Sequence, residues 1–238
     1  MILFDLDDTI FDHKHSRLCG LVALQNLIPS LKSESLKTLE SEHDKFLLAN
    51  YGATLSGQMS VDDARVERIK NLLVTFGVRA STSLLQEADN RYRTVYEEKR
   101  RAIPGVVRIM QSLKNDMPLG IVTNGLSDIQ HEKIDICNVR NLVQFIFISD
   151  EIGFKKPETA FYDYVFSQTG STPEKTVLVG DLWESDILGG HAVGMQTIWL
   201  NRYELKCPDS AITTEIRGYE PIEKTLEIFR PVINRENF

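Results

Sequence analysis

Met1-Ile-Leu-Phe-Asp5-Leu-Asp7-Asp8-Thr9 is the stretch whose reading decides the fold. Its apolar opening, Met1–Leu6, reads as a β-strand buried on both faces, and the strand runs out into carboxylates. Side chains two apart on an extended chain point to the same side, so Asp5 and Asp7 are expected to face one pocket. Two carboxylates held that close repel each other unless a cation or a shared proton compensates. Mg²⁺ takes oxygen ligands and often bridges carboxylate to phosphate, which points to metal-assisted phosphate chemistry with a carboxylate nucleophile. With Met1 so near Asp5 the first strand is short, and a residue or two is expected to precede it in the natural chain.

Working outward, the runs Leu119–Thr123, Phe145–Ser149, Thr176–Gly180 and Thr197–Leu200 read as further buried strands. Stretches of helical spacing such as Val106–Leu113 and Thr159–Gln168 lie between them. The alternation predicts an α/β fold, a Rossmann-like parallel sheet with helices on both faces. In such sheets ligands bind at the carboxyl ends of the strands. Asp5, Asp7, Thr123 and Asp181 all stand at those ends.

Residues 13–103 break the alternation with helix signals alone. Helices are expected near Leu18–Ile28 and Leu36–Leu48. Ser60-x-x-Asp63 reads as a capping box, followed by Val66, Ile69, Leu73 and Phe76 at helical spacing. Ser83-x-x-Gln86 is expected to open a helix running to about Arg101. The domains expected are thus an α/β core of residues 1–12 and 104–238 and an inserted all-helical domain, 13–103. The last dozen residues read as a docked helix and a loose tail.

Composition narrows the function. The 238 residues carry a net charge of −7 and a pI near 5.3, which argues against a nucleic acid polymer as the ligand. A small phosphate ester remains compatible, because one metal and one lysine reverse the local field. Cys19, Cys137 and Cys207 have no paired spacing, which fits neither a disulfide framework nor a zinc site. No apolar stretch approaches membrane-spanning length, so no membrane partner is expected and the reading is cytoplasmic. A monomer or a homodimer is expected.

Three further motifs sharpen the chemistry: Ile121-Val122-Thr123-Asn124-Gly125, Gly153-Phe-Lys155-Lys156-Pro157, and Val177-Leu-Val179-Gly180-Asp181 with Asp186 five residues on. In this order, with the first motif, they resemble the haloacid dehalogenase (HAD) superfamily, over residues 1–12 and about 104–202. Most of that family are phosphatases acting through an aspartyl-phosphate. The helical insert after the first strand is similar to the family's C1-type cap, which closes over the site and reads the leaving group. The run from Gly180 to Gly190, with Gly194 and Thr197-Ile-Trp-Leu-Asn201, looks like the pyrimidine 5′-nucleotidase branch.

The resemblance implies roles residue by residue. Asp5 is the candidate nucleophile and a metal ligand, Asp181 a second ligand, and Asp7 a third through its backbone carbonyl. The Asp7 carboxylate is the candidate general acid/base. Thr123 and Asn124 would give hydroxyl and backbone N–H groups to the phosphoryl oxygens, with Gly125 permitting close approach. Lys156 is favoured over Lys155 as the phosphoryl-binding cation, because the family's lysine directly precedes proline. Asp186 would hold a metal-bound water or Lys156. Asp8 stands where many relatives carry glycine and is assigned no chemistry. His13, Lys14, His15 and Ser16 read as exposed linker more than as substrate contacts, and Arg91, Arg93, Lys99, Arg100 and Arg101 as a solvated face.

The function expected is a Mg²⁺-dependent phosphomonoesterase acting on a small phosphorylated metabolite, foremost a nucleoside 5′-monophosphate. The alternatives are phosphatases of sugar phosphates or phosphoglycolate, a 2-haloacid dehalogenase and a non-enzymatic binding protein. Dehalogenases of this family typically lack an aspartate at the position of Asp7.

Overall fold

The computed structural model describes residues 1–233; the tail expected at the extreme C-terminus falls largely outside them. The chain divides into two compact units, one of residues 1–12 with the chain from Arg101 onward, the other of residues 13–100. The first unit holds β1 (Ile2–Phe4), β2 (Leu119–Thr123), β3 (Phe145–Ile148), β4 (Val177–Gly180), β5 (Gln196–Leu200) and β6 (Thr214–Ile216). Helices α1 (His13–Leu27), α2 (Leu36–Leu55), α3 (Val61–Thr75) and α4 (Thr82–Glu98) make the second unit. The first unit adds α5 (Val106–Leu113), α6 (Ser127–Ile136), α7 (Ser149–Ile152), α8 (Thr159–Thr169), α9 (Gly189–Ala192) and α10 (Ile222–Ile233).

The strands form one sheet in the order β3-β2-β1-β4-β5-β6, every pairing parallel. β1 lies inside it, with Phe4 opposite both Ile121 and Val179. Strand order reverses at β1, and in a parallel sheet the carboxyl end of that switch point is where a crevice opens. Alternate side chains of β1 leave on opposite faces. Ile2 and Phe4 join one core with Ile109, Met110 and Phe229, while Met1 and Leu3 join another with Phe161, Tyr162 and Val165. Burial on both faces explains the unbroken apolar runs, and each such side chain contributes about 1.5–3 kcal/mol. β6 has the sequence Thr-Glu-Ile at the sheet edge, too short and polar to stand out as an apolar run; pairing with β5 makes it a strand.

Asp12, fully buried, accepts hydrogen bonds from Arg101 (3.0 and 2.8 Å) and Arg202 (2.8 Å), and its backbone N–H donates to the Arg101 carbonyl (2.9 Å). These bonds tie the point where the chain leaves the sheet unit to the point where it returns. Arg101 is exposed, as expected, but it lies beyond α4, which ends at Glu98, and has a buried carboxylate partner.

In the helical unit the Ser60 hydroxyl accepts from the Asp63 N–H at 3.0 Å and donates to its carboxylate at 2.7 Å, the expected cap. α4 starts earlier than expected, capped by Ser81 rather than Ser83, because the Ser81 hydroxyl accepts from Leu84 N–H at 3.2 Å. His13 to Ser16 are the first turn of α1 and not exposed linker: Ser16 is fully buried and donates to the Lys99 carbonyl (3.1 Å), and His13 meets the Tyr96 hydroxyl at 2.9 Å. Among the described residues no helix is long and apolar enough to cross a membrane.

His43 is the anomaly of this unit. It is 1% exposed and stacked on Tyr92 (5.4 Å), and neither ring nitrogen has a hydrogen-bond partner. Burial pushes its pKa from 6.5 to about 4, outweighing the pull of Asp44. The unfolded chain then takes up the proton first as pH falls, so stability is full above pH 6.5 and lost as pH drops through about 4. The difference between 6.5 and about 4 is worth about 3 kcal/mol. His43→Phe should flatten this limb of a Tm–pH profile measured by calorimetry; an unchanged limb would mean that His43 is already charged in the fold.

Candidate active site

The Asp5 backbone N–H donates to the Val179 carbonyl at 2.8 Å, extending the β1–β4 ladder by one residue and holding Asp5 rigidly at the strand exit. Its carboxylate Oδ1 accepts from Lys156 Nζ at 2.7 Å, and the same ammonium donates to Asp186 Oδ1 at 2.6 Å. Lys156 is buried while Lys155 is exposed, so of the two lysines it is Lys156 that meets the acidic cluster. Asn124 fixes the Lys156 backbone from both sides: its Oδ1 accepts from Lys156 N–H and its Nδ2 donates to the Lys156 carbonyl, each at 2.9 Å. The Asn124 side chain is thereby spent on holding the lysine.

Asp186 is fully buried on a π-helical turn, Trp183–Leu188, and accepts from the Leu182 N–H at 3.0 Å as well as from Lys156. Gly180 makes room for it. A Cβ at Gly180 would stand 2.4 Å from the Cβ of Asp186. Asp181 follows at the end of β4, and its Oδ1 is buried without a hydrogen-bond partner.

Burial pushes the Asp5 pKa up to about 7, helped by Asp186 and Asp7 and opposed by Lys156. Asp181 is pushed well above the usual carboxylate range by burial first, then by Asp5 and Asp186. Burial alone would depress Lys156, but Asp186 and Asp5 outweigh it and hold the ammonium charged. One buried cation thus faces three carboxylates, an excess of negative charge that a further cation relieves.

Asp7 lies apart from that cluster's lysine. Its carboxylate accepts from Lys133 Nζ at 2.7 and 2.8 Å and from Gln130 Nε2 at 3.1 Å. Gln130 also donates to Thr123 Oγ1 at 2.5 Å, tying the exit of β2 to the exit of β1. Gly125, at φ +152°, donates its N–H to Ser149 Oγ at 3.0 Å, and a Cβ there would meet the Gln130 side chain at 2.9 Å. Lys133 and Gln130 went unnoticed in the sequence. Their only signal is their place three apart on the helix after the Thr-Asn-Gly turn, which puts them on one face. Asp8 has φ +56°, a left-handed conformation that glycine adopts without strain, and lies 3.8 Å from Arg202.

Carboxylate oxygens of Asp5, Asp181 and Asp186 lie within 4.8 Å of one another. Both Asp186 oxygens already accept from Lys156 and the Leu182 N–H, so the oxygens left for a hard divalent cation such as Mg²⁺ are those of Asp5 and the orphaned buried oxygen of Asp181. Since a cation must displace the proton that Asp5 retains below about pH 7, added Mg²⁺ should raise Tm more at pH 8 than at pH 6; equal shifts would place the cation elsewhere. Gly180→Ala should cost about 1–3 kcal/mol in chemical denaturation, because Asp186 cannot move without uncovering Lys156; a neutral result would show that the turn yields freely.

The chain is similar to proteins of known sequence and structure. It is 29% identical over 229 residues to the HAD-hydrolase YfnB of Bacillus subtilis, covering 95% of each chain. It is 27% identical to the pyrimidine 5′-nucleotidase PynA of Streptococcus pneumoniae (95% and 94% covered) and 27% to the glyceraldehyde 3-phosphate phosphatase of Methanothermobacter thermautotrophicus (84% of each). The crystal structure of magnesium-bound YfnB superposes with a TM-score of 0.69 at 27% identity, covering 97% of both chains. The haloacid dehalogenase-like hydrolase family matches residues 2–200, and this chain belongs to it.

Proposed function

We propose that this protein is a Mg²⁺-dependent phosphomonoesterase that works through an aspartyl-phosphate on Asp5, with nucleoside 5′-monophosphates as the preferred substrate class. The observation that carries the reading is the buried Asp5–Lys156–Asp186 chain beside an Asp181 oxygen without a partner. A nucleophile fixed by the sheet, a fixed cation and spare oxygen donors are what in-line displacement at phosphorus requires. The relatives named as phosphatases and as a pyrimidine 5′-nucleotidase support the substrate class.

Asp5, Asp181 and the Asp7 backbone carbonyl would hold Mg²⁺, which supplies positive charge against the phosphoryl oxygens. An Asp5 oxygen attacks phosphorus; the bond to the ester oxygen breaks and the electron pair leaves with that oxygen. The Asp7 carboxyl gives it a proton. Asp7, now a carboxylate, takes a proton from water as the water oxygen attacks the aspartyl-phosphate, and the bond from phosphorus to Asp5 breaks to free phosphate. Lys156 and the Thr123 hydroxyl face the transferring group, and the backbone N–H of Asn124 adds to them. The exposure of the Asp7 side chain, 32% against 10% for Asp5, suits a group that exchanges protons with water.

Phosphate release with Mg²⁺ across nucleoside monophosphates, sugar phosphates and phosphoglycolate tests the reading. Pyrimidine monophosphates should be the preferred substrates, and Asp5→Asn should lower kcat by about 10³-fold or more. The same substitution should not lower Tm in metal-free buffer at pH 8, because a carboxylate with a pKa of about 7 destabilises the fold once ionised. Silence across the panel, with halide released from a 2-haloacid, would overturn it.

A further inference from the structure

We infer that Lys133, with Gln130 beside it, is the positioning residue that aims the Asp7 carboxylate at the reacting phosphate ester. The inference rests on the phosphomonoesterase reading and adds to it a residue that acts only through Asp7. Lys133 sits on α6 and is only 8% exposed, an unusual place for a lysine, which is almost never buried unless paired. Its ammonium reaches both Asp7 oxygens, at 2.7 and 2.8 Å, and Gln130 Oε1 at 2.7 Å. It also lies 5.5 Å from the centre of the Phe11 ring. Gln130, 1% exposed, donates to Asp7 Oδ2 and to Thr123 Oγ1.

The asymmetry is what gives the arrangement a purpose. Burying a lysine carries a large desolvation cost, offset only with good geometry and further hydrogen bonds. A pair formed for stability alone gains little from a carboxylate whose side chain is 32% open to water. Asp7 follows β1 on a tight turn that carries the left-handed Asp8, and a short side chain there has rotamers that miss the substrate oxygen. Two donors fixed by one helix, Lys133 across both carboxylate oxygens and Gln130 on Oδ2, select one rotamer. Gln130 couples that rotamer to the phosphate-facing Thr123, so that proton carrier and phosphoryl donor share one register. Such positioning is a means by which a group acquires effective concentration at the reacting atom.

Lys133→Met retains the buried stem and removes only the ammonium from an Asp7 that is partly open to water, so the fold should survive. With an alkyl ester that the wild type hydrolyses, kcat should fall about 10–100-fold, part of the 10²–10⁴ that acid–base catalysis contributes, with KM changed less than about threefold. p-Nitrophenolate leaves without a proton, so p-nitrophenyl phosphate should give a first turnover at the wild-type rate. Slow water attack should then follow, seen as a burst of one nitrophenolate per enzyme. Lys133→Arg should retain more activity than Lys133→Met. In an Asp7→Asn background Lys133→Met should cost nothing further, because its route is already gone. Equal losses on both esters without a burst, or an added loss beside Asp7→Asn, would overturn the positioning role and leave the phosphomonoesterase reading standing. A wild type that hydrolyses no phosphate ester would overturn both.

Discussion

The contact on which the site depends is the ammonium of Lys156 held between Asp5 and Asp186. A buried lysine with one carboxylate leaves a balanced pair; between two, with Asp181 close by, it leaves a deficit of positive charge. Much of the surrounding architecture serves that deficit. Asn124 locks the lysine backbone, Gly180 lets Asp186 pass close to β4, and the π-helical turn brings Asp186 back toward the sheet. The outcome is an Asp5 whose pKa has climbed to about 7 and an Asp181 that burial and its acidic neighbours also push well above the usual carboxylate range. Such a site gives up stability that a bound cation would restore.

The two aspartates of the first motif live in different surroundings although they are two residues apart. Asp5 is the end of a ladder, fixed by a backbone bond and buried beside Lys156. Asp7 is past the strand, partly open to water and addressed by α6. Two carboxylates whose environments differ in this way can take the different tasks proposed for them, a covalent bond for Asp5 and a proton for Asp7.

Polar residues near the crossings have partners that local sequence does not show. The buried carboxylate of Asp12 binds Arg101 and Arg202, and His13 to Ser16 are the ordered first turn of a helix. Each of these residues is charged or polar, and composition alone assigns such residues to the surface; their partners are distant in the chain. The same blindness hid Lys133 and Gln130, whose partner Asp7 lies more than 120 residues away.

Sequence by itself determined the parallel sheet, because strands buried on both faces must be apolar throughout, and the runs at residues 1–6, 119–123, 145–149, 176–180 and 197–200 are legible as such. It also placed Asp5, Asp7, Thr123 and Asp181 at strand ends, where a parallel sheet opens, while Lys156 and Asp186 were singled out by the family resemblance of their motifs. The edge strand at Thr214–Ile216, the choice of the carboxylates that Lys156 bridges, and the Lys133–Asp7 pair were decided only by tertiary structure. An edge strand exists through its neighbour, and a buried charge is placed by partners that the chain brings together from far apart; neither leaves a periodic trace in the local sequence.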